Sequence, residues 1–100
     1  MKDTCATLKE IRLLTQGYRV LTFEVPEIAK AAQPGQFVHV RIPNIEASRL
    51  RRPFSIYDAD PEKGLLYVLY KVVGFGTEKL AGLSVGTTMQ ILGPSGRRFL

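Results

Sequence analysis

The sequence predicts an all-β fold, a six-stranded antiparallel Greek-key barrel with one short helix. Apolar and polar residues alternate through several short runs, which is the pattern of half-buried strands. Turn chemistry separates these runs at intervals of about 8–12 residues, as is typical of small barrels and sandwiches. A closed barrel is favoured because an open sheet of this size would leave unpaired edges. We therefore expect the 100 residues to form one domain.

The first half of the chain contains three predicted strands, at residues 4–14, 18–25 and 36–42. The alternation of the first strand fails at Lys9-Glu10, where we expect a β-bulge. Pro26 ends the second strand because proline lacks the N–H that a strand ladder needs. Residues 27–32 are expected to form a short helical turn at most.

The second half contains three more predicted strands, at residues 51–57, 65–73 and 88–92. Residues 58–64 are rich in Asp, Pro and Gly and are expected to form the turn between the first two of these strands. A short helix is predicted at residues 77–83, with Thr77 as its N-cap. The Gly-Pro-Ser-Gly stretch at residues 93–96 is expected to form a turn after the last strand.

The composition is that of an ordinary soluble domain, with 45% hydrophobic and 23% charged residues. No apolar run approaches the roughly 20 residues needed to cross a bilayer, and the N-terminal residues lack the apolar core of a signal peptide. The single cysteine, Cys5, provides neither an internal disulfide nor a multi-cysteine metal site. We therefore predict a cytoplasmic protein without a membrane segment.

The net charge of +5 has its basic excess in two arginine clusters. One contains Arg49, Arg51 and Arg52, and the other contains Arg97 and Arg98. Such clusters bind nucleic acid, an acidic partner or the phosphates of a ligand, or they form a solvated face. The charge alone leaves these interpretations open.

Residues 51–56, Arg-Arg-Pro-Phe-Ser-Ile, give the strongest indication of a ligand site. Proline restricts the residue before it to extended backbone, so Arg52 is predicted to lie in a strand. Phe54 and Ile56 then share one face of that strand, and a guanidinium offers a rigid set of donors to an anion. With the Ser55 hydroxyl, this set suits a ligand that has phosphates at one end and a flat heterocycle at the other.

A second candidate site is the Gly-Phe-Gly-Thr turn at residues 74–77, between a predicted strand and a predicted helix. Glycine allows backbone to approach a ligand closely, and a helix N-terminus suits a phosphate. The turn is not a dinucleotide-binding fingerprint, because the third glycine and the βαβ unit are missing. By itself the turn is better explained as a simple connection between a strand and a helix. In combination with residues 51–56, it becomes a specific indication of a phosphate-bearing ligand.

Together these two stretches resemble the flavin-binding barrel of the ferredoxin–NADP reductase superfamily. Within that superfamily, the chain resembles the electron-transfer subunits of class B dihydroorotate dehydrogenase over essentially its whole length. The resemblance depends on four stretches, which are residues 34–38 (Pro-Gly-Gln-Phe-Val), 51–56, 69–77 and 92–96 (Leu-Gly-Pro-Ser-Gly).

The resemblance implies an FAD site. Arg52 would bind the pyrophosphate, and Ser55 would approach the flavin N5 atom. Gly76 and Thr77 would give backbone and hydroxyl donors to the phosphates. The residues implied to line the flavin and its ribityl chain are Pro53, Phe54, Leu69, Tyr70 and Lys71. No catalytic residue and no metal ligand is assigned to this chain.

The resemblance also implies a place in an electron path of pyrimidine biosynthesis. Members of that family take electrons from an FMN-containing dihydroorotate dehydrogenase catalytic subunit and pass them over a 2Fe-2S cluster and FAD to NAD. The family's nicotinamide-binding domain and cysteine-rich cluster segment lie outside these 100 residues, and such a cluster needs four ligands. We expect this chain to be the FAD-binding barrel domain, which is not catalytically complete alone.

Two alternatives stay open. The same fold serves as the flavin subunit of another ferredoxin or NAD(P) oxidoreductase, or of a sulfide dehydrogenase. A small basic barrel that binds single-stranded nucleic acid would need several exposed aromatic residues for stacking, and here the aromatics are scattered, so we predict no nucleic-acid partner. His39 is expected to be structural, and Asp58 and Asp60 are expected to serve a turn.

Overall fold

The computed structural model describes residues 2–41, 52–71 and 84–96, and the structural statements below concern these residues. They form a closed barrel of six antiparallel strands. The strands are β1 (Lys2–Leu13), β2 (Tyr18–Glu24), β3 (Phe37–Val40), β4 (Arg52–Asp60), β5 (Leu65–Lys71) and β6 (Thr88–Ser95). A 3-10 helix, Thr15–Gly17, joins β1 to β2, and a short α-helix, α1 (Pro26–Ala31), follows β2.

The strand order around the barrel is β1-β2-β5-β4-β3-β6, and β6 pairs with β1 to close it. The consecutive strands β3, β4 and β5 are neighbours, and β6 returns to lie beside β3. This order is a Greek key, so the predicted fold class is confirmed. Closure pairs both edges of every described strand, which removes the exposed edges of an open sheet.

The barrel core consists of residues that alternate along the strands. In β5, Leu66, Val68 and Tyr70 are buried, while the residues between them are only half-buried. Strand β2 departs from this pattern, because its four consecutive residues 20–23 are all buried. The largest fully buried side chains include Phe23, Leu8, Leu21, Ile28, Leu66 and Ile91.

Helix α1 lies against β1, β4, β5 and β6. Its Ile28 is fully buried and belongs to the core cluster. Pro26 begins the helix, a position where the missing N–H would have no intrahelical partner anyway. The backbone N–H of Val25 donates to the carbonyl oxygen of Gly64 at 2.9 Å, which ties the start of the helix to the β4–β5 connection. This helix occupies the region where the sequence predicted a helical turn at most.

The predicted β-bulge in β1 is confirmed, because the pairing with β2 shifts between Leu8 and Glu10. A second bulge, which was not predicted, interrupts β4 between Ile56 and Asp58. The bulge keeps β4 paired with β5 as far as Asp60. The turn that was predicted to begin at residue 58 therefore begins later.

Strand β6 is also longer than predicted. It pairs with β1 as far as Gly93 and with β3 as far as Ser95. A register shift between Phe37 and His39 accommodates Pro94, which has no N–H for the ladder. The prediction of a turn at residues 93–96 is wrong, because pairing to two neighbouring strands keeps this stretch extended.

The predicted helix at residues 77–83 lies outside the described residues, as do four arginines of the two basic clusters, Arg49, Arg51, Arg97 and Arg98. Within the described ranges, neither helix has the length and apolar character needed to span a membrane.

Candidate functional site

Two adjacent strands hold most of the predicted site. The described members are Pro53, Phe54 and Ser55 in β4, and Leu69, Tyr70 and Lys71 in β5. Ser55 pairs with Leu69, so the antiparallel register sets the two stretches side by side. Arg52 begins β4, whereas Gly76 and Thr77 lie outside the described residues.

Phe54 and Tyr70 form an aromatic pair on the inner face of these strands. Their ring centroids are 5.4 Å apart, in an edge-to-face arrangement at 62°. Phe54 is 7% exposed and Tyr70 is 4% exposed, so both rings belong to the core. Ile56 is buried too, as expected from its predicted position on the same face as Phe54.

The neighbours of this pair face outward. Pro53, Ser55 and Lys71 are exposed, and Leu69 is half-buried. The site residues thus divide between a buried aromatic layer and an outer layer that carries a hydroxyl and an ammonium group. Because side chains alternate along a strand, this division follows directly from their sequence order.

Strand β3 adds two residues that the sequence had not placed in the site. Phe37 pairs with Ser55, and His39 pairs with Pro53. Their rings are 5.2 Å apart at an angle of 72°. The Nδ1 atom of His39 is buried and has no hydrogen-bond partner among the described residues. Phe37 lies in the Pro-Gly-Gln-Phe-Val stretch at residues 34–38. That stretch was the one feature of the sequence that could have indicated that β3 lies beside the site.

The end of β6 is held against the start of β3 by hydrogen bonds and packing. The Gln36 side-chain amide donates to the carbonyl oxygen of Gly96 at 3.1 Å, and the carbonyl oxygen of Gln36 accepts from the backbone N–H of Ile56 at 3.0 Å. Gly96 has a φ of +86°, and a Cβ at this position would lie 2.5 Å from the Phe37 ring. Two stretches from distant parts of the sequence therefore meet beside the middle of β4.

A cation lies at the end of β5. The Lys71 ammonium is 5.4 Å from the centre of the Tyr18 ring, which is within the range of a cation–π contact. Lys71 and Tyr18 are paired across β5 and β2, and both are exposed. The contact holds a positive charge on the outer surface at the end of β5.

A half-buried cation and a buried hydroxyl lie on neighbouring strands at this end of the barrel. Arg19 of β2 pairs with Tyr70 of β5. Burial raises the pKa of the Tyr70 hydroxyl, and the nearby Arg19 guanidinium partly opposes that rise. Tyr70 therefore keeps its proton at neutral pH and can donate a hydrogen bond.

A separate groove lies at the opposite end of β4 and β5. It is lined by Arg12, Tyr57, Asp58, Ala59, Asp60, Pro61, Glu62 and Tyr67. Asp58 Oδ1 accepts from the backbone N–H of Ala59 at 2.8 Å, and Asp60 Oδ1 accepts from that of Lys63 at 3.2 Å. Both carboxylates thus bind backbone locally, as residues of a turn connection do.

The comparisons with known proteins agree on a flavoprotein domain. A family model described as an oxidoreductase FAD-binding domain matches residues 5–99. The chain is 40% identical over 92 residues to the electron transfer subunit of dihydroorotate dehydrogenase B (NAD(+)) from Shouchella clausii, covering 92% of this chain and 35% of that protein. It is 46% identical over 79 residues to the corresponding subunit from Desulforamulus reducens, covering 79% and 30%. The chain thus spans about a third of the length of these curated relatives.

Solved structures resemble the fold over nearly the whole chain. An NADH-dependent reduced ferredoxin–NADP oxidoreductase matches with a TM-score of 0.84 and 28% identity, over 95% of this chain and 34% of that one. The FAD apo form of the ferredoxin reductase of carbazole 1,9a-dioxygenase matches with a TM-score of 0.76 and 21% identity, over 95% and 30%. At that identity the second match supports the fold alone.

Proposed function

This chain belongs to the oxidoreductase FAD-binding domain family, and we propose that it is the FAD-holding domain of a dihydroorotate dehydrogenase B electron-transfer subunit. The observation that carries the proposal is the pairing of β4 with β5, which sets the Pro53–Ser55 stretch beside the Leu69–Lys71 stretch. The similarity to the two electron transfer subunits supports the choice of enzyme.

The described residues fit an FAD molecule. FAD combines a flat ring with a ribityl chain and a diphosphate that are rich in oxygen acceptors. The exposed Ser55 hydroxyl and Lys71 ammonium offer donors on the outer surface. The buried hydroxyl of Tyr70 has no hydrogen-bond partner among the described residues, which leaves a donor for a ligand. This donor set suits an oxygen-rich cofactor.

Each predicted residue would hold one part of the cofactor. Arg52 would bind the pyrophosphate through charge-assisted hydrogen bonds, and Gly76 and Thr77 would hold the phosphates from the opposite side. Ser55 would orient the edge of the ring through its hydroxyl, while Pro53 and Leu69 would exclude water beside it. Bound FAD supplies two-electron and one-electron transfer, which protein side chains alone do not provide.

The electron path extends beyond this chain. We propose that electrons arrive from an FMN-containing dihydroorotate dehydrogenase catalytic subunit through a 2Fe-2S cluster and leave to NAD. The single cysteine cannot supply the four ligands of such a cluster, so thiolates from elsewhere would hold it. The cytoplasmic location expected from the sequence stays a prediction.

One other flavin enzyme is a specific second candidate. The 28% identity and TM-score of 0.84 to an NADH-dependent reduced ferredoxin–NADP oxidoreductase support a flavin domain that exchanges electrons with ferredoxin and a nicotinamide nucleotide. The two candidates share the cofactor and differ in the electron donor.

Titration of the purified chain with FAD tests the shared part of the proposal. We expect the flavin fluorescence to be quenched and the visible spectrum to shift on binding. Failure to bind FAD, together with binding of a single-stranded oligonucleotide, would contradict the proposal and favour a nucleic-acid barrel. Co-elution with an FMN-containing dihydroorotate dehydrogenase catalytic subunit, but not with a ferredoxin, would then separate the two flavin candidates.

A further inference from the structure

Arg19 and Tyr70 form a polar pair at the inner face of the barrel wall. The two residues are directly opposite each other in the antiparallel register of β2 and β5. Tyr70 is almost completely buried, and Arg19 is half-buried. The pair lies next to Phe54, whose ring contacts that of Tyr70 at 5.4 Å. It therefore adjoins both strands of the proposed cofactor site.

Both members of the pair have buried donors without an acceptor. The Nε atom of Arg19 and the hydroxyl of Tyr70 have no hydrogen-bond partner in the part of the chain that the structure describes. A guanidinium has donors only, and burial favours the protonated, neutral form of the tyrosine hydroxyl. A buried donor without an acceptor destabilises a fold, so two of them side by side indicate that a ligand supplies the acceptor.

We propose that Arg19 and Tyr70 act together as a donor pair that binds an oxygen atom of the bound flavin. This inference rests on the proposed function, and it adds Arg19 to the FAD site. The sequence could not indicate Arg19, because it lies in β2, outside every stretch that carried the family resemblance. Only the pairing of β2 with β5 brings it to Tyr70.

The position of the pair favours FAD over other oxygen-bearing ligands. Tyr70 directly precedes Lys71 in β5. Its ring contacts that of Phe54 edge-to-face, and Phe54 stands between Pro53 and Ser55 in β4. Arg19 and Tyr70 lie one residue from the ends of β2 and β5, at the end of the barrel where Arg52 begins β4, so a ligand bound at that end can reach the pair and the exposed residues together. The ring carbonyls, the ribityl hydroxyls and the diphosphate of FAD are all suitable acceptors.

The test compares FAD affinity and thermal stability in three variants of the 100-residue chain. Arg19→Met and Tyr70→Phe each remove donors and keep most of the side-chain volume. Arg12→Met is the matched control, because Arg12 is an exposed arginine of β1 that pairs with Val20, the neighbour of Arg19. FAD fluorescence quenching gives the dissociation constant, and melting of the ligand-free protein gives the stability.

We expect Arg19→Met to weaken FAD binding by about tenfold or more, and Tyr70→Phe by about threefold to tenfold. Arg12→Met should change the dissociation constant by less than about twofold, because it removes the same charge from an exposed site. The melting temperature of ligand-free Arg19→Met and Tyr70→Phe should stay unchanged or rise, since each loses an unpaired buried donor. A purely structural pair would instead lower it.

The outcomes separate this inference from the proposed function. FAD binding by the wild-type chain, with equal affinity in Arg19→Met and Tyr70→Phe, would overturn the donor pair and leave the proposed function intact. Absence of FAD binding by the wild-type chain would overturn the proposed function and the donor pair with it. Should Arg19→Met fail to fold, Tyr70→Phe decides, because it removes one hydroxyl and nothing else.

Discussion

The ring of Phe54 meets that of Tyr70 edge-to-face at 5.4 Å, which joins the two strands of the candidate cofactor site through the barrel core. The contact gives these residues a structural role that is independent of any ligand. These two side chains, which belong to the proposed site, also help to hold β4 against β5. A substitution of either ring is therefore expected to change the stability of the fold as well as the proposed FAD site.

Replacement of Phe54 by alanine should lower the free energy of unfolding by about 3–5 kcal/mol. The change removes a buried ring and the edge-to-face contact with Tyr70. Tyr57→Ala is the matched control on the same strand, because Tyr57 is 53% exposed, and it should cost less than about 1 kcal/mol. Urea unfolding measures both, and similar losses in the two variants would contradict the assignment of Phe54 to the core.

Gly96→Ala should destabilise the protein more than Gly86→Ala does. Both glycines have positive φ angles, +86° and +98°, so both substitutions carry backbone strain of about 1 kcal/mol. A Cβ at Gly96 also collides with the Phe37 ring at 2.5 Å, whereas nothing lies within 4 Å of a Cβ at Gly86. The collision should add about 1–3 kcal/mol in urea unfolding. Equal losses would mean that the end of β6 is not packed on Phe37.

The stability of the protein should fall above about pH 10 in a way that depends on Tyr70. Burial raises the pKa of this hydroxyl above its ordinary value of 10.0. The folded state then holds its proton more tightly than the unfolded state. This contribution is complete below pH 10.0 and is lost as the pH rises through the folded pKa.

Tyr70→Phe isolates that contribution, because lysines and other tyrosines titrate in the same range in both proteins. The free energy of unfolding of the wild type should decrease more steeply between about pH 9 and 11 than that of the variant. Parallel curves would show that Tyr70 titrates as it does in the unfolded chain.

Arg52→Ala should weaken FAD binding strongly, by about tenfold or more, because it removes a charge-assisted contact to the pyrophosphate. Arg12→Ala removes an equal charge from an exposed position of β1 and serves as the control. Fluorescence titration with FAD measures both variants. An unchanged affinity in Arg52→Ala would contradict the role that the family resemblance gives this residue.

Much of the fold could be predicted because its causes are local. The order of the side chains predicts both the alternation of buried and half-buried residues in β5 and the bulge near Glu10. Pro26 was expected to end a strand at residue 25; β2 ends one residue earlier, at Glu24, and Pro26 begins a helix. These features need no partner strand to be recognised.

The limits of two strands could not be predicted in the same way. Local turn chemistry favoured a turn at residue 58 and another at residue 93, yet β4 continues to Asp60 and β6 to Ser95. In both cases a bulge lets the strand stay paired with its neighbours. Pairing across the barrel therefore overrides the preference of the local sequence.

The order of the side chains is enough to predict the barrel and the two stretches that resemble a flavin site, because periodicity and short patterns are properties of consecutive residues. The positions of Phe37 and His39 beside β4, and of Arg19 opposite Tyr70, depend instead on how the strands pair in the folded barrel. Those contacts join residues that are far apart in the chain. The strand order and register that create them are set by closing the barrel around its core, and no single stretch of sequence contains that information.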